Sequence, residues 1–193
     1  MSKTRWQPTL LIRATIVLHV LALFVVIAEP GQWRWALGAV IANHALLTLV
    51  GLWPRSHWLG PNWTQLPAAA TARNEIALTI DDGPDPIVTP QVLDLLDRYA
   101  TQATFFCVGE KAARYPDLCR EIVRRGHAVE NHSQHHRHHF ALMGRSGFTR
   151  ELQAAQDTLT SITGQRPLFF RAPAGLRNPF LDPVLARLEL RLA

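Results

Sequence analysis

The sequence predicts an α/β domain built on a parallel sheet and preceded by two apolar helices that span a membrane. From Asn74 onward, short apolar runs alternate with amphipathic helical patterns, which is typical of a parallel sheet. Two long apolar runs occupy the chain before that point. All six tryptophans lie within the first 63 residues, and tryptophan concentrates where a bilayer meets its headgroups.

The two apolar runs cover residues 10–28 and 35–52. A helix needs about 20 residues to cross a bilayer, and both runs approach that length. A short turn at 29–34 joins them, so a transmembrane hairpin is expected within residues 1–55 and the lipid bilayer is an expected partner. The alternative is a cleaved signal peptide followed by a buried helix, but a signal peptide is rarely followed so soon by a second span.

The net charge of +5 is concentrated at the N-terminus, because residues 1–63 carry +4 of it. No basic run with interleaved aromatic residues is present, so the sequence argues against a nucleic-acid partner. Cys107 ends an apolar run and Cys119 lies in a helical pattern. Both are therefore expected to be buried free thiols rather than zinc ligands.

A segment rich in Pro, Gly, Asn and Ala at 56–73 is predicted to be a linker along the membrane surface, with Trp58 and Trp63 inserted. The domain at 74–193 then begins with a strand at 76–80. The next helix is predicted to start at Thr89, because Pro90 suits a first helical position. Further strands are predicted at 103–108, 128–129, 168–170 and 189–192, with helices ending at 126 and covering 148–163 and 179–188. The prediction therefore contains about five strands.

The first predicted strand ends in two adjacent carboxylates, Asp81 and Asp82, followed by Gly83-Pro84. The Gly-Pro pair forces a turn. Neighbouring strand residues point to opposite faces, so one carboxylate is able to bind a metal while the other faces a substrate. The alternative is an ordinary turn, because Asp, Gly and Pro dominate turns.

A histidine-rich segment follows the third predicted strand. His132 and His136 are four residues apart and would share a face on a helical turn, but His135 and His139 have the same spacing. One carboxylate and two imidazoles suit a hydrolytic metal site, which takes about three protein ligands. The alternative is a solvated polar loop, in which His138 and His139 are expected to lie.

Three motifs, in this order, resemble those of the polysaccharide deacetylase family, the NodB-type carbohydrate esterases. They are Thr79-Ile80-Asp81-Asp82-Gly83-Pro84, His132-Ser133-Gln134-His135-His136 and Arg171-Ala172-Pro173, and the only departure is Ile80, where the family has Phe. The resemblance covers about residue 74 to the C-terminus. It implies a distorted β/α barrel of seven or eight strands, so the five predicted strands would form a partial barrel of the NodB type.

The resemblance also implies residue roles and a substrate. Asp82, His132 and His136 would bind a divalent metal, with zinc expected and cobalt or nickel as alternatives. Asp81 would act as general base and Arg171 would pair with it. Backbone N–H groups around 174–175 would stabilise the oxyanion. The substrate would be an N-acetylated polysaccharide or a lipid-linked amino sugar.

Two later motifs of the family are absent from the sequence, namely a strand with Asp and Trp and a Leu-x-His motif whose histidine is the general acid. One expectation is therefore a membrane-anchored deacetylase, and the other is a truncated relative that binds metal but lacks activity. A histidine-rich metal-binding module of another class would not explain Asp81, Asp82 and Arg171.

The side of the membrane on which the domain lies is left open by two conflicting arguments. Lys3, Arg5 and Arg13 flank the first span, so the positive-inside rule places the N-terminus, and with it the domain, in the cytoplasm. The family's envelope polysaccharides would instead place the domain on the outer face of a bacterial inner membrane.

Overall fold

The computed structural model describes residues 6–53 and 55–193, so Lys3 and Arg5 lie outside the described residues. Helix α1 (Leu10–Ala28) and helix α2 (Trp33–Leu52) are joined by a 3-10 turn at Pro30–Gln32. Both helices are long and apolar enough to cross a membrane, although a signal sequence near an N-terminus would meet the same criterion. The helical bounds agree with the two predicted runs, except that α2 begins two residues earlier.

The rest of the chain alternates strands and helices, as predicted. The strands are β1 (Thr79–Gly83), β2 (Thr104–Cys107), β3 (Ala128–Asn131), β4 (Phe169–Phe170) and β5 (Arg191–Leu192). The helices are α3 (Ala68–Ala72), α4 (Val88–Arg98), α5 (Gly109–Arg114), α6 (Pro116–Arg124), α7 (Arg145–Thr163) and α8 (Leu181–Arg187). Short 3-10 turns occur at Phe140–Leu142 and Pro173–Gly175.

The five strands form one parallel sheet in the order β1-β2-β3-β4-β5. Each strand therefore pairs with its neighbours in sequence, and within the described residues β5 does not pair with β1 to close a barrel. Because all strands run the same way, their carboxyl ends share one edge, where α/β proteins place their sites. The predicted number of strands is confirmed.

Several predicted elements differ in their bounds from the structure; α7, for example, begins at Arg145 and not at 148. Strand β1 begins at Thr79 rather than at 76, because pairing with β2 starts there and Ile76, which is 88% exposed, has nothing to pack against. Helix α4 begins at Val88, since Asp85 Oδ1 accepts hydrogen bonds from the N–H groups of Ile87 and Val88. The helical segment before β3 is divided into α5 and α6, because a proline at the start of α6 restricts the preceding residue.

Two clusters of buried side chains form the core of the domain. Phe105, Leu93 and Ile122 belong to a cluster that includes residues of α4, α6 and β2. Phe148 and Phe170 belong to a second cluster with residues of α7, α8 and β5. The prediction for the cysteines is confirmed, because Cys107 and Cys119 are buried free thiols within the first cluster.

The segment after α2 packs on the hairpin and on the domain together. Leu59 is buried against Ile12, Leu47 and Val50 of the two long helices. On the domain side, Arg177 Nη2 donates a hydrogen bond to the Ser56 carbonyl across 121 residues of chain. The hairpin is thereby held at a defined place beside the sheet.

Two close approaches fix this junction further. At Gly60, an added Cβ would lie 2.2 Å from Asp182 Oδ1. Asp182 is buried and lies 3.7 Å from Arg177 Nη1, so its carboxylate has little room to move. At Gly51, an added Cβ would lie 2.7 Å from the Arg177 carbonyl oxygen. Neither glycine is replaceable without a shift of the backbone or of the buried ion pair.

Candidate metal and catalytic site

The predicted site residues meet at the carboxyl edge of the sheet. Asp81 and Asp82 lie at the end of β1, His132 follows β3 directly, and Arg171 follows β4 directly. The backbone ladder continues into this edge, since Arg171 N–H donates to the Asn131 carbonyl at 3.0 Å. The parallel arrangement of the strands thus brings together residues that are up to 90 positions apart.

The two aspartates have different partners, as their alternation on the strand predicted. The pairing of β1 with β2 shifts between Ile80 and Gly83, and Asp82 has a φ of 65°. This irregularity turns the Asp82 carboxylate toward two histidines, whereas the Asp81 carboxylate contacts Arg171. The Lys111 ammonium, which the sequence did not indicate, donates to the Asp82 carbonyl at 2.8 Å.

Asp82, His132 and His136 form a cluster of three ligand atoms. Asp82 Oδ1 lies 3.2 Å from His132 Nε2 and 3.1 Å from His136 Nε2, and all three atoms are within 4.8 Å of one another. Metal bonds of about 2.0–2.2 Å put neighbouring ligand atoms about 3.0–3.4 Å apart. The two spacings from Asp82 to the histidines therefore fit a divalent metal ion.

The chemical state of His132 also fits a ligand. Its Nδ1 donates to the Arg171 carbonyl at 2.8 Å, which leaves Nε2 as a free lone pair directed at Asp82. Burial lowers the pKa of the His132 imidazole, so the neutral ring is favoured. A backbone carbonyl holding the far nitrogen is the usual support of a metal-binding histidine.

The segment that carries the histidines is a turn rather than the predicted helical turn. Asn131 is fully buried, and its Oδ1 accepts a hydrogen bond from the Ser133 N–H at 2.9 Å. Ser133 Oγ accepts from the His136 N–H at 3.0 Å, and both residues have positive φ values. The shared face of His132 and His136 thus comes from side-chain hydrogen bonds to the backbone, which a residue spacing does not reveal.

The competing histidine pair lies elsewhere. His135 Nδ1 contacts Glu151 Oε1 at 2.8 Å, and the His135 N–H donates to Glu151 Oε2 at 3.0 Å. Burial would raise the pKa of Glu151, but hydrogen bonds from His135 and Arg137 lower it overall. His138 and His139 are exposed in a turn, as predicted. His135 therefore helps to fix α7 and does not face Asp82.

Arg171 and Asp81 form an ion pair beside the cluster. Arg171 Nη1 lies 2.9 Å from Asp81 Oδ1 and 2.8 Å from Thr79 Oγ1, and its guanidinium stacks 4.2 Å from the centre of the Phe106 ring. The stacking and the second hydrogen bond hold the guanidinium in one orientation. Thr79 belongs to the first sequence motif, although its contact with Arg171 was not predicted, and Phe106 was not identified from the sequence because it looks like an ordinary strand residue.

The prediction for the backbone around 174–175 was partly wrong. The Gly175 N–H donates to the Ala172 carbonyl at 2.9 Å, so it closes a local turn and is not available to a substrate oxygen. Ala174 and Gly175 both have positive φ values and line the cleft. The tight turn uses the N–H group that the prediction reserved for an oxyanion.

A cleft of about 580 Å³ contains Asp81, Asp82 and His132. The end of α2 and the residues after it form another part of its wall, among them Trp53, Arg55, Asn62 and Trp63. Sequence reasoning missed this wall, because nothing in a local pattern shows that an apolar helix borders a distant strand edge.

Trp63, which was predicted to insert into a membrane surface, lies against the sheet with part of its side chain exposed, so its insertion stays a prediction. Its indole packs edge-on against Phe169 at 5.7 Å, and the Arg191 guanidinium lies 5.2 Å from the centre of the indole. The backbone N–H of Trp63 donates to the Leu192 carbonyl at 2.7 Å. The residue is held on the sheet because a hydrogen-bond acceptor of β5 and two flat side chains are available there.

Comparison with known proteins gives one family. Residues 68–193 match the family model described as polysaccharide deacetylase. A peptidoglycan-N-acetylglucosamine deacetylase of Bacillus cereus is 33% identical over 125 residues, which cover 63% of this chain and 45% of that protein.

Two solved structures show the same fold. A family 4 carbohydrate esterase from Streptomyces lividans in complex with acetate aligns with a TM-score of 0.59 and 34% identity, over 61% of this chain and 60% of that chain. A family 4 acetyl xylan esterase from Clostridium thermocellum in complex with a cobalt ion aligns with a TM-score of 0.52 and 35% identity, over 54% and 51% of the two chains. The chain thus spans about half the length of these relatives.

Proposed function

Because this chain belongs to the polysaccharide deacetylase family, as its three motifs indicated, we propose that it is a membrane-anchored, metal-dependent hydrolase. It removes N-acetyl or similar acyl groups from the amino sugars of a polysaccharide or a lipid-linked glycan. The observation that carries the proposal is the Asp81–Arg171 ion pair placed beside the cluster of Asp82, His132 and His136.

The three donors would hold the metal. Zinc is proposed because a carboxylate and two imidazoles are common zinc ligands, with cobalt or nickel as alternatives. When bound, a divalent ion polarises an acyl oxygen and brings the pKa of water down to about 7. The cobalt ion in the acetyl xylan esterase, a related protein, supports a divalent ion at this site.

Asp81 would act as the general base. It lies next to a metal ligand in sequence, at the same strand end, and its carboxylate opens into the cleft. A base must reach the proton that it removes, and this position allows a hydrogen bond to a water held at the cluster. Arg171 keeps the carboxylate in one orientation through the 2.9 Å contact, so the proton has a fixed destination at Asp81.

The anchor is proposed from the hairpin. The outward apolar side chains of α1 and α2 are exposed, among them Phe24, Ile27 and Leu49. Such a surface is satisfied by lipid, so two spans in a bacterial inner membrane are proposed. Thr9 Oγ1 donates to the Trp58 carbonyl at 2.6 Å, so the start of α1 and the domain lie at the same end of the hairpin.

The anchor is tested by membrane extraction. The full chain should stay in the pellet after a carbonate wash and be released by detergent. Release by carbonate would contradict the two spans, and an N-terminus trimmed in the mature protein would favour a signal sequence. Reporter fusions at the C-terminus would assign the side of the membrane.

The activity is tested by acetate release from N-acetylated chitin oligomers with zinc or cobalt added. The Asp81→Asn variant should lose at least 100-fold in rate, since positioned general base catalysis contributes about 10²–10⁴-fold. Asp117→Asn is the matched control, because that exposed carboxylate pairs with Arg120 on α6, outside the cleft. Equal loss in both variants would contradict the assignment. Metal binding without acetate release would favour the inactive metal-binding relative.

A further inference from the structure

The cleft joins the candidate site to the end of the apolar hairpin. Asp81, Asp82 and His132 line this cleft together with Leu52 and Trp53 at the end of α2. A group bound at the aspartates thus shares one cleft with the end of an apolar helix. A site for a freely soluble or long polymeric glycan does not need a wall of this kind.

The hairpin end is fixed against the domain, so its place in the cleft is a property of the fold. The close approach of Gly51 to the Arg177 carbonyl and the hydrogen bond from Arg177 to Ser56 hold the end of α2. The hydrogen bond from the Trp63 N–H to Leu192 holds the following segment against β5. These contacts lie on both sides of the hairpin end and hold it against the domain.

Exposed tryptophans mark two levels on the hairpin. Trp33 and Trp35 are exposed at the connector, and Trp53 and Trp58 are exposed at the other end. Trp35 and Trp53 are 18 residues apart, which is about 27 Å along a helix. This is close to the thickness of about 30 Å of a bilayer's hydrocarbon core. Tryptophans prefer the two interfaces, so the level of Trp53 and of the cleft is the membrane surface.

An exposed cation completes the cleft wall. Arg55 lines the cleft and makes no hydrogen bond or ion pair with the residues that the structure describes. Arginine binds phosphate through two parallel hydrogen bonds. The cleft therefore brings together a metal cluster for an acyl group, a cation for a phosphate and an apolar helix end beside lipid.

We infer that the substrate is a membrane lipid whose phosphate or diphosphate head carries the N-acylated amino sugar. The sugar lies at Asp81 and the cluster, the phosphate at Arg55, and the lipid chain runs past Leu52 and Trp53 into the bilayer. This inference rests on the proposed function for the reaction, and it narrows the substrate from glycans in general to sugars attached to lipid phosphate.

The test uses the full chain in detergent micelles or liposomes with polyprenyl diphosphate-linked N-acetylglucosamine as the probe. Acetate release from this lipid should exceed release from chitotriose, a soluble glycan of the same sugar, by at least tenfold. A second form of the probe carries a photoreactive diazirine near the head of the lipid chain. It should label the peptide that contains Leu52 and Trp53, and this readout does not require turnover.

Two arginine variants provide the matched comparison. Arg55→Ala should reduce the labelling about tenfold, the effect expected from losing one charge-assisted contact. Arg34→Ala should not, because that guanidinium lies over Trp33 at the opposite end of the hairpin.

The outcomes separate this inference from the proposed function. Acetate release from chitotriose at an equal or higher rate, without labelling of 52–53, would overturn the inference and leave the deacetylase proposal standing. Labelling at 52–53 without acetate from either substrate would support the lipid site and count against the deacetylase. Labelling that is equal in Arg55→Ala and wild type would overturn the phosphate contact.

Discussion

The sharpest prediction concerns which residues bind the metal. Replacing Asp82, His132 or His136 by Ala should abolish stoichiometric zinc binding. Replacing His135 or His139 should leave it unchanged. The pairs His132/His136 and His135/His139 share a residue type, a loop and a spacing of four, so the second pair is a matched control for the first.

The size of the effect follows from the geometry. Asp82 Oδ1 lies 3.1 to 3.2 Å from both Nε2 atoms, so every donor belongs to one small cluster and each variant removes one of three. Loss of an outer-shell partner alone costs about 10–100-fold in metal affinity, and loss of a direct ligand should cost at least about 100-fold. That corresponds to about 3 kcal/mol.

Of the two control variants, only the one at His135 should change stability, and neither should change metal binding. His135→Ala removes the 2.8 Å contact between the imidazole and Glu151, but the backbone N–H of residue 135 still donates to that carboxylate. The expected cost is about 1 kcal/mol in the free energy of unfolding. His139 is exposed, and its replacement should change neither property.

Calorimetric titration of metal-stripped protein with zinc measures stoichiometry and affinity, and circular dichroism confirms that each variant is folded. One zinc per chain in wild type, His135→Ala and His139→Ala, and none in the other three, is the expected result. Zinc binding that depends on His135 and His139 instead would refute the assignment of ligands.

Three further predictions concern the buried polar contacts. Gly60→Ala should lower the free energy of unfolding by about 2 kcal/mol or more, because the added Cβ would meet the Asp182 carboxylate. The control Gly31→Ala should change this free energy by less than about 0.5 kcal/mol, because no atom lies within 4 Å of its added Cβ. Burial raises the pKa of Asp182 to about 6, above its ordinary 3.8. The free energy of unfolding of the wild type should therefore fall by up to about 3 kcal/mol as the pH rises from 4 to 6. Thermal scans in detergent should show that Asp182→Asn lacks this fall. Asn131→Ala should weaken zinc binding in the calorimetric assay and destabilise the domain by about 2–3 kcal/mol, because its side chain binds Ser133, Leu152 and Gln156; unchanged affinity would contradict its role in shaping the histidine turn.

Much of the fold was predictable because it depends on local patterns. Apolar runs located α1 and all five strands, and the alternation of strand and helix indicated the parallel sheet. The start of β1 was wrong, since an apolar run does not show where pairing begins. Ile76 is apolar but precedes the first paired residue, Thr79.

The residues of the candidate site could be predicted from the sequence, but the contacts that bring them together could not. Side-chain types and order pointed to Asp81, Asp82 and Arg171, and the structure brings them to one edge. The turn at the histidines depends on Asn131, and the cleft wall depends on contacts across more than 100 residues. No periodicity in a sequence encodes such contacts, because each depends on how distant elements pack.

The hydrogen bond from the Trp63 backbone N–H to the Leu192 carbonyl affects how readily the sheet can aggregate. An outer strand with free backbone groups is a template on which strands of other molecules can assemble. Here the segment after the hairpin occupies the outward carbonyl of β5, and its indole covers Phe169 beside it. A foreign strand would have to displace this segment, which is held at the same time by the buried Leu59. The hairpin and the segment that follows it therefore also cover part of β5, and detaching them would expose these backbone groups to strands of other molecules.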